Sequence, residues 1–300
     1  MDHTAFATTS RGLDRSSVPL RLFEKAKRFG IWNPSAIDLQ QDRRDWLRLA
    51  DDERDLVLRL VALFQAGEEA VTRDILPLIS VIAEEGRVEE ELFLTSFLWE
   101  EAKHTDFFSR FLHEVVQTRA DLGAYHSPSY RELIYRRLPT AMHRLATDRS
   151  PAAQAAASVT YNVIVEGVLA ETGYHAFSTM LASHGLMPGM CDAIRLLKQD
   201  ESRHIAYGLY LVSRIVAADP TLWADVEHQL GELILLPMQI IDDVFGAYQQ
   251  MPFGLTPETF SEYAIDQFSR RVAWLERARD GVTSTAVPDD ADQPYGAPSG

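Results

Sequence analysis

The chain has 300 residues and a formal net charge of −15, from 29 basic and 44 acidic side chains. This acidic balance disfavours nucleic acid and an anionic membrane surface as partners. The single cysteine, Cys191, excludes an intrachain disulfide framework. Because the N-terminus lacks the apolar core of a signal peptide and no run reaches the ~18 apolar residues of a spanning helix, we expect a soluble, cytoplasmic protein with no transmembrane segment.

The sequence predicts three segments. Residues 1–34 are expected to form an irregular N-terminal arm, because Pro19 and Pro34 punctuate them. Residues 35–280 are expected to form one helical domain, since no Pro/Gly-rich linker interrupts them and a chain of this length can bury one sizeable core. Residues 281–300 form a polar tail, which ends in DDADQPYGAPSG and is predicted to be disordered.

The first long helix is predicted to begin near Asp51 and to end or kink at Pro77. Asp51 is a suitable N-cap, and acidic residues follow it in the first turn, where negative charge favours the helix dipole. Apolar residues then recur at three- and four-residue steps, and Glu68 lies on this buried stripe. Glu69 lies about 100° off the stripe, so we expect it to be solvated or to contact a metal ligand.

The second long helix is predicted from about Val88 to Ala120, and its apolar face carries Glu101 and His104. A carboxylate and an imidazole three residues apart share one face of a helix and can bind the same metal ion. Coordination would also remove the large desolvation cost of a carboxylate in an aliphatic stripe. We expect Glu100, which precedes this pair, to be solvated.

The second half of the chain repeats this arrangement. A long helix that opens at Ser150 and ends near Gly185 carries Glu166, and the next helix carries Glu201 and His204. Each Glu-x-x-His pair therefore has a glutamate upstream, at 33 residues (101 − 68) in the first half and 35 residues (201 − 166) in the second. A single pair would prove little, but the repeat predicts one shared site.

Six inward-facing ligands from four helices predict a two-metal carboxylate site. They are Glu68, Glu101, His104, Glu166, Glu201 and His204. Oxygen ligands dominate and no thiolate is present, which favours iron or manganese over a structural zinc. Asp200 directly precedes the second ligand pair, and we expect it to hold a ligand histidine through the second ring nitrogen.

Further helices are predicted to start after Asp219-Pro220 and Thr256-Pro257, and no stretch shows the alternation of a strand bounded by turn residues. The predicted fold class is therefore all-α. Four long helices with inward ligands correspond to a ferritin-like four-helix bundle core, and we expect the additional helices to pack around it.

The combined pattern resembles the ligand-binding oxidases related to the small subunit of ribonucleotide reductase. The segments that carry this resemblance are AGEEAV, EEAKH, SVTYNVIVEG, ETGY and DESRH, and it covers roughly residues 15–280. Glu-x-x-His alone would indicate only the ferritin-like superfamily. The resemblance implies a fold like that of the ribonucleotide reductase small subunit, a homodimer, and a manganese/iron or di-iron centre held by the six ligands.

The resemblance also implies a chemistry. Relatives activate dioxygen, and Val71 and Tyr161 correspond to two residues that the metal centre joins by an ether cross-link. From the residues alone, both are ordinary core side chains. Family members hold a long-chain fatty acid with its carboxylate on the metals, inside an apolar tunnel, which suggests a role in lipid metabolism. We expect Tyr174 to lie in this ligand pocket.

Two other functions remain open. One is a ribonucleotide reductase small subunit of the manganese/iron type. In the tyrosyl-radical enzymes the radical tyrosine falls four residues after the first ligand histidine, where this chain has Phe108, and Tyr295 lies in a polar tail with few apolar anchors for a large subunit. The other is a non-catalytic ferritin-like metal-binding protein, although storage ferritins resemble shorter single bundles that build cages.

Overall fold

The computed structural model describes residues 5–280, and every regular element in this range is a helix. The predicted all-α fold class is therefore confirmed. The α-helices, in chain order, are α1 (Ala7–Ser10), α2 (Val18–Phe29), α3 (Gln40–Trp46), α4 (Asp51–Asp74), α5 (Leu76–Glu84), α6 (Val88–Phe111), α7 (Pro128–Tyr130), α8 (Leu138–Arg144), α9 (Pro151–Ser158), α10 (Glu171–Leu181), α11 (Pro188–Ala218), α12 (Trp223–Leu233), α13 (Leu235–Phe245) and α14 (Pro257–Arg279). The π-helical segments are Leu112–Val116, Arg131–Arg137 and Val159–Ala170, and short 3-10 turns lie at Pro34–Ala36, Leu122–Tyr125, Ala182–His184, Pro220–Leu222 and Pro252–Gly254.

Four long elements form the core of the bundle: α4, α6, the helix that runs from α9 through Val159–Ala170 into α10, and α11. α4 packs on α6, and α11 packs on Val159–Ala170. Around them, α2 lies against α6 and α11, and α14 lies against α11 and Val159–Ala170. This is the ferritin-like bundle with additional helices that the sequence predicts. In the described range, no helix is long and apolar enough to cross a membrane.

The core helices pass through two apolar clusters, which lie on either side of the predicted ligand positions. Along α4, Phe64 belongs to one cluster and Val71 to the other, and along α6 the corresponding residues are Phe107 and Phe97. Burial of each such side chain stabilises the fold by roughly 1.5–3 kcal/mol. The two clusters therefore fix the rotation of each helix, and the polar ligand positions between them face inward.

The prediction of an irregular arm over residues 1–34 is wrong for Val18–Phe29, which form α2. Pro19 lies in the first turn of this helix, where the N–H that proline lacks would have no helical partner. The proline therefore opens the helix instead of interrupting it. Leu20 and Leu22 are buried, so α2 is anchored to the bundle by its apolar face.

Helix ends follow the sequence signals with small shifts. α4 begins at Asp51 itself, with Ala50 in the N-cap position and its N–H donating to a glutamate of the first turn at 2.8 Å. The helix predicted from Ser150 to Gly185 is observed, but its centre is π-helical, which the periodicity did not predict. The tail predicted to be disordered, residues 281–300, lies outside the described residues.

Candidate metal centre

Six buried side chains from four core elements converge inside the bundle. α4 supplies Glu68, α6 supplies Glu101 and His104, Val159–Ala170 supplies Glu166, and α11 supplies Glu201 and His204. None of the six is more than 5% exposed. Burial of four carboxylates without compensation would be very unfavourable, so this point of the fold requires positive charge.

The six side chains form two overlapping groups of four. Glu68 and His104 belong to the first group, Glu166 and His204 to the second, and Glu101 and Glu201 to both. Within each group, one ligand atom from every residue lies within 4.8 Å of the others. Two adjacent ions held here would each have one histidine and one carboxylate of their own, and would share two carboxylates.

Several atoms that point into the cluster lack hydrogen-bond partners in the protein. Within the described residues, these buried atoms are Nδ1 of His104 and His204 and one carboxylate oxygen each of Glu101, Glu166 and Glu201. An orphaned buried polar atom costs about 1–3 kcal/mol, so several at one point indicate a site built for another occupant. Imidazole nitrogen and carboxylate oxygen are donors that manganese and iron accept, and the residues therefore fit a two-metal cofactor.

The protonation of the carboxylates reveals the same shortage of positive charge. Burial raises the pKa of Glu68 to about 8, and burial together with a neighbouring carboxylate raises the pKa of Glu166 well above its usual value. Burial acts on Glu101 as well, but the nearby imidazoles of His104 and His204 hold the pKa of this carboxyl below its usual range. Bound metal ions would supply the missing charge and release the retained protons.

Each of the two histidines contacts an acidic side chain of the other helix, behind the ring, on the side that faces away from the cluster. His104 Nε2 lies 3.3 Å from Asp200 Oδ2, and His204 Nε2 lies 2.9 Å from Glu100 Oε2. These contacts orient the rings so that Nδ1 faces the cluster. The expectation that Glu100 is solvated is wrong: its side chain is fully buried, because α11 brings His204 against it.

Two basic residues balance these acids, and the sequence analysis missed both. Arg203 Nη2 donates to Glu100 Oε1 at 2.6 Å and to Asp200 Oδ1 at 2.5 Å. Lys103 Nζ donates to Asp200 Oδ2 at 2.9 Å. A sequence signal for them exists, since EEAKH and DESRH share the order acid, ligand glutamate, any residue, base, ligand histidine. The repeat therefore extends over five residues and not only over the two ligands.

Val71 and Tyr161 lie side by side next to the cluster. The Tyr161 hydroxyl donates to the Val71 carbonyl oxygen at 3.3 Å and lies 3.5 Å from Glu101 Oε1. Both side chains are buried. Burial and the nearby carboxylates raise the pKa of Tyr161 well above its usual value, so the phenol keeps its proton in this setting.

An apolar cavity reaches the cluster on the side of its carboxylates. Val71 and all four converging carboxylates line this cavity and define its inner end. Its walls come from α4, Val159–Ala170, α10, α13 and α14 and are almost entirely apolar. His104 and His204 are not part of the lining, so the cavity and the buried acids behind the histidines lie on different sides of the cluster.

Tyr174 lies between two of the converging carboxylates. Its hydroxyl is 3.4 Å from Glu68 Oε1 and 3.4 Å from Glu201 Oε1. Its neighbours Gly173 and Ala176 line the cavity, whereas Tyr174 itself does not belong to the lining. Its place in a ligand pocket therefore stays a prediction.

The family model described as "Ribonucleotide reductase, small chain" matches residues 23–271 of the chain. Among solved structures, the chain is similar to a valine-to-leucine variant of an R2-like ligand-binding oxidase with aerobically reconstituted Mn/Fe cofactor, with a TM-score of 0.87 and 39% identity over 91% of this chain and 99% of that chain. A tyrosine-to-phenylalanine variant with anaerobically reconstituted Mn/Fe cofactor gives a TM-score of 0.88 and 38% identity over 91% of this chain and 99% of that chain. A glutamate-to-aspartate variant, aerobically reconstituted, gives 0.88 and 39% over 91% of this chain and 99% of that chain.

Proposed function

The chain belongs to the ribonucleotide reductase small-chain family, and from this premise we propose that it is an oxidoreductase, a dioxygen-activating ligand-binding oxidase with a Mn/Fe cofactor. The observation that carries this proposal is the meeting of a cluster able to hold two metal ions with an apolar cavity. A storage protein needs metal sites but no such cavity. The geometry therefore favours oxidation next to a bound apolar molecule over metal storage.

The proposed cofactor would be held by the six converging residues. Its two ions would share Glu101 and Glu201, and each ion would have one histidine and one further glutamate. The oxygen-rich donor set suits manganese and iron, the solved relatives carry Mn/Fe, and a di-iron form is compatible with the same donors. When bound, the cofactor would supply the electrons and the oxidising power for reaction with dioxygen.

We also propose that Val71 and Tyr161 become joined by an ether bond. Tyr161 would lose its phenolic hydrogen, Val71 would lose the hydrogen of its tertiary Cβ, and one carbon–oxygen bond would form. The two electrons and two protons removed would leave with dioxygen as the final acceptor. The hydrogen bond from the Tyr161 hydroxyl to the Val71 carbonyl oxygen, at 3.3 Å, supports this step because it holds the phenol oxygen beside Val71.

A long-chain fatty acid is the ligand that we propose for the cavity. Its carboxylate would bind at the metals, where the inner end of the cavity lies, and the apolar walls would remove its methylene groups from water at roughly 0.8 kcal/mol each. Such a ligand would connect the protein to lipid metabolism. A homodimer and a cytoplasmic location belong to the same proposal, and they rest on the resemblance to relatives and on the sequence.

Peptide mass mapping tests the proposed function. Protein reconstituted with iron and manganese is either kept anaerobic or exposed to air, and the proteolytic peptides are compared. Air should produce a linked pair of peptides that contain Val71 and Tyr161 and that are lighter by two hydrogen atoms. The Tyr161→Phe variant keeps all six proposed ligands and is the control, which should give no link.

Two results would contradict parts of the proposal. If the metals bind but the wild-type protein forms no link in air, the cross-link is excluded, and a ribonucleotide reductase small subunit becomes the function to test by a search for a large-subunit partner. If each chain instead accumulates many metal ions, storage becomes the better explanation.

A further inference from the structure

The cavity runs from the cluster of converging carboxylates to a far end, which we assign to residues of α13 and α14. Its inner end includes Glu68 and Val71, and one wall follows α4 back to Leu60. Because α4 is a regular α-helix, the 11 residues from Leu60 to Val71 (71 − 60) span about 16 Å. Ala176, ten residues beyond Glu166 (176 − 166), also lines the cavity and belongs to the same apolar cluster as Leu60.

We place Phe245 and Phe260 at this far end, because both line the cavity and both pack in the apolar cluster that contains Leu60. Their ring centroids are 5.6 Å apart, and the Phe260 ring also lies 5.6 Å from the ring of His175, the neighbour of Ala176. The two phenylalanines come from different helices, α13 and α14, and both line the cavity. An unbranched chain whose head lies at the metals would therefore meet this aromatic pair with its terminal carbons.

Gly67 lies at the opposite, inner end of the cavity, next to Glu68 and in the interior of α4. Glycine in a helix interior is less favourable than alanine by about 0.5–1 kcal/mol. A Cβ built at Gly67 would meet only Tyr130 Oη, at 3.6 Å, which is an ordinary van der Waals contact. Packing within the protein thus does not require glycine here, whereas an open passage beside the converging carboxylates would.

Other helical glycines have different explanations. A Cβ at Gly173 would lie 2.6 Å from the Phe64 ring, and a Cβ at Gly208 would lie 2.1 Å from Asn162 Cβ, so close packing requires both glycines. Gly231 in α12 is exposed, and a Cβ there would meet nothing within 4 Å. Gly231 therefore offers a matched control for a substitution at Gly67.

We infer that Gly67 and the Phe245–Phe260 pair select the ligand of this cavity. Gly67 provides the width through which a polymethylene chain leaves the metals, and the aromatic pair limits the length of that chain. The site takes unbranched long-chain carboxylic acids and excludes acids with bulk next to the carboxylate. This inference rests on the proposed function, because it places the carboxylate head at the metals.

Binding of saturated straight-chain acids, from decanoate to octadecanoate, to delipidated and metal-loaded protein tests the inference by calorimetry. Affinity should rise roughly fourfold for each methylene buried until the chain reaches the aromatic pair, and should then stop rising. In Phe260→Ala, the best-bound acid should be longer than in the wild type. Gly67→Leu should lower the affinity for every acid by roughly 10- to 100-fold, whereas Gly231→Leu should leave it unchanged.

Metal content and thermal unfolding are measured for each variant, and Phe245→Ala provides a second test of chain length if Phe260→Ala does not fold. If the wild type binds these acids but Gly67→Leu binds them equally well and the preferred length stays the same in the phenylalanine variant, the inference is overturned while the proposed ligand stands. If the folded, metal-loaded wild type binds none of the acids, the proposed ligand itself is wrong, and the inference falls with it.

Discussion

The cluster of converging side chains has two halves, one around His104 and one around His204. Both halves repeat one sequence motif, but their surroundings differ. In the first half, the acid behind the ligand histidine is Asp200, which accepts hydrogen bonds from Lys103 Nζ at 2.9 Å and Trp32 Nε1 at 2.8 Å, and also from Arg203. Two cations and an indole therefore neutralise much of the charge of this carboxylate. Its contact with His104 is long, at 3.3 Å.

In the second half, the acid is Glu100, which accepts a hydrogen bond from Arg203 at 2.6 Å. Its contact with His204 is shorter, at 2.9 Å. A carboxylate that keeps more of its negative charge makes its histidine a stronger electron donor to a metal. The two groups of the repeat would therefore hold their metal ions in electronically different positions, which would suit a cofactor of two different metals.

Loss of a shared carboxylate should have the largest effect, because it removes a ligand from both halves. Glu101→Ala and Glu201→Ala should each fail to retain either metal, whereas Glu68→Ala should lose mainly the ion of its own half. Metal analysis after reconstitution and desalting measures this. The exposed Glu69 provides the control, since Glu69→Ala should retain both ions. Full retention by the Glu101 and Glu201 variants would exclude the ligand assignment.

Removal of either acid behind the histidines should destabilise the metal-free protein by about 3–5 kcal/mol, because a buried cation loses its partner. Asp200→Ala should destabilise more than Glu100→Ala, since Asp200 pairs with both Lys103 and Arg203. Urea unfolding of the two metal-free variants makes the comparison. Equal losses would mean that the two halves are energetically equivalent in spite of their different contacts.

Neutral replacements of the same shape should affect metal affinity more than folding. Glu100→Gln and Asp200→Asn should each weaken metal binding in their own half by roughly 10- to 100-fold. The effect should be greater for Glu100→Gln, because the acid behind His204 is less neutralised. Competition with a chelator measures both affinities. A greater loss of metal affinity in Asp200→Asn would contradict the inference that His204 is the stronger electron donor of the two histidines.

The pH dependence of stability tests the burial of one carboxyl of the cluster in the metal-free protein. Burial raises the pKa of Glu68 from the ordinary value of 4.5 to about 8. Between these values the folded state holds a proton that the unfolded state has released, so this group lowers the stability of the metal-free protein as pH rises, by about 1.4 kcal/mol per pH unit. Urea unfolding at pH 5, 6 and 7 should show a smaller decline in Glu68→Gln. If the decline in stability with pH is the same in Glu68→Gln as in the wild type, other carboxyl groups cause it, and Glu166 is the first candidate.

The convergence of the ligand side chains could be predicted from the sequence because helix geometry determines it. Residues three apart share a helix face, and the similar spacing of the upstream glutamates places them one helix earlier in each half. Glu100 was assigned wrongly because its burial comes from α11, which is distant in sequence. The roles of Lys103 and Arg203 were not predicted, because the acids Asp200 and Glu100 that they contact come from the other helix and are about 100 residues away in the chain.

The fold shows the same limit of sequence reasoning. Apolar periodicity predicted the long helices, since tertiary packing and local pattern agree there. The effect of Pro19 was predicted wrongly, because a proline in the interior of a helix breaks it, whereas a proline in the first turn favours it. The π-helical hydrogen bonding of Val159–Ala170 was not predicted, because the choice between backbone partners depends on packing that the local sequence does not determine.

Val71 and Tyr161 lie in contact although they are 90 residues apart in the chain (161 − 71). The proposed ether bond would close this loop permanently, and reductants could not reopen it. For a disulfide that closes a loop of similar length, the loss of chain entropy in the unfolded state amounts to about 4–5 kcal/mol. One reaction with dioxygen would therefore leave a chain with fewer unfolded conformations, and it would stay more resistant to unfolding even after its metals are removed.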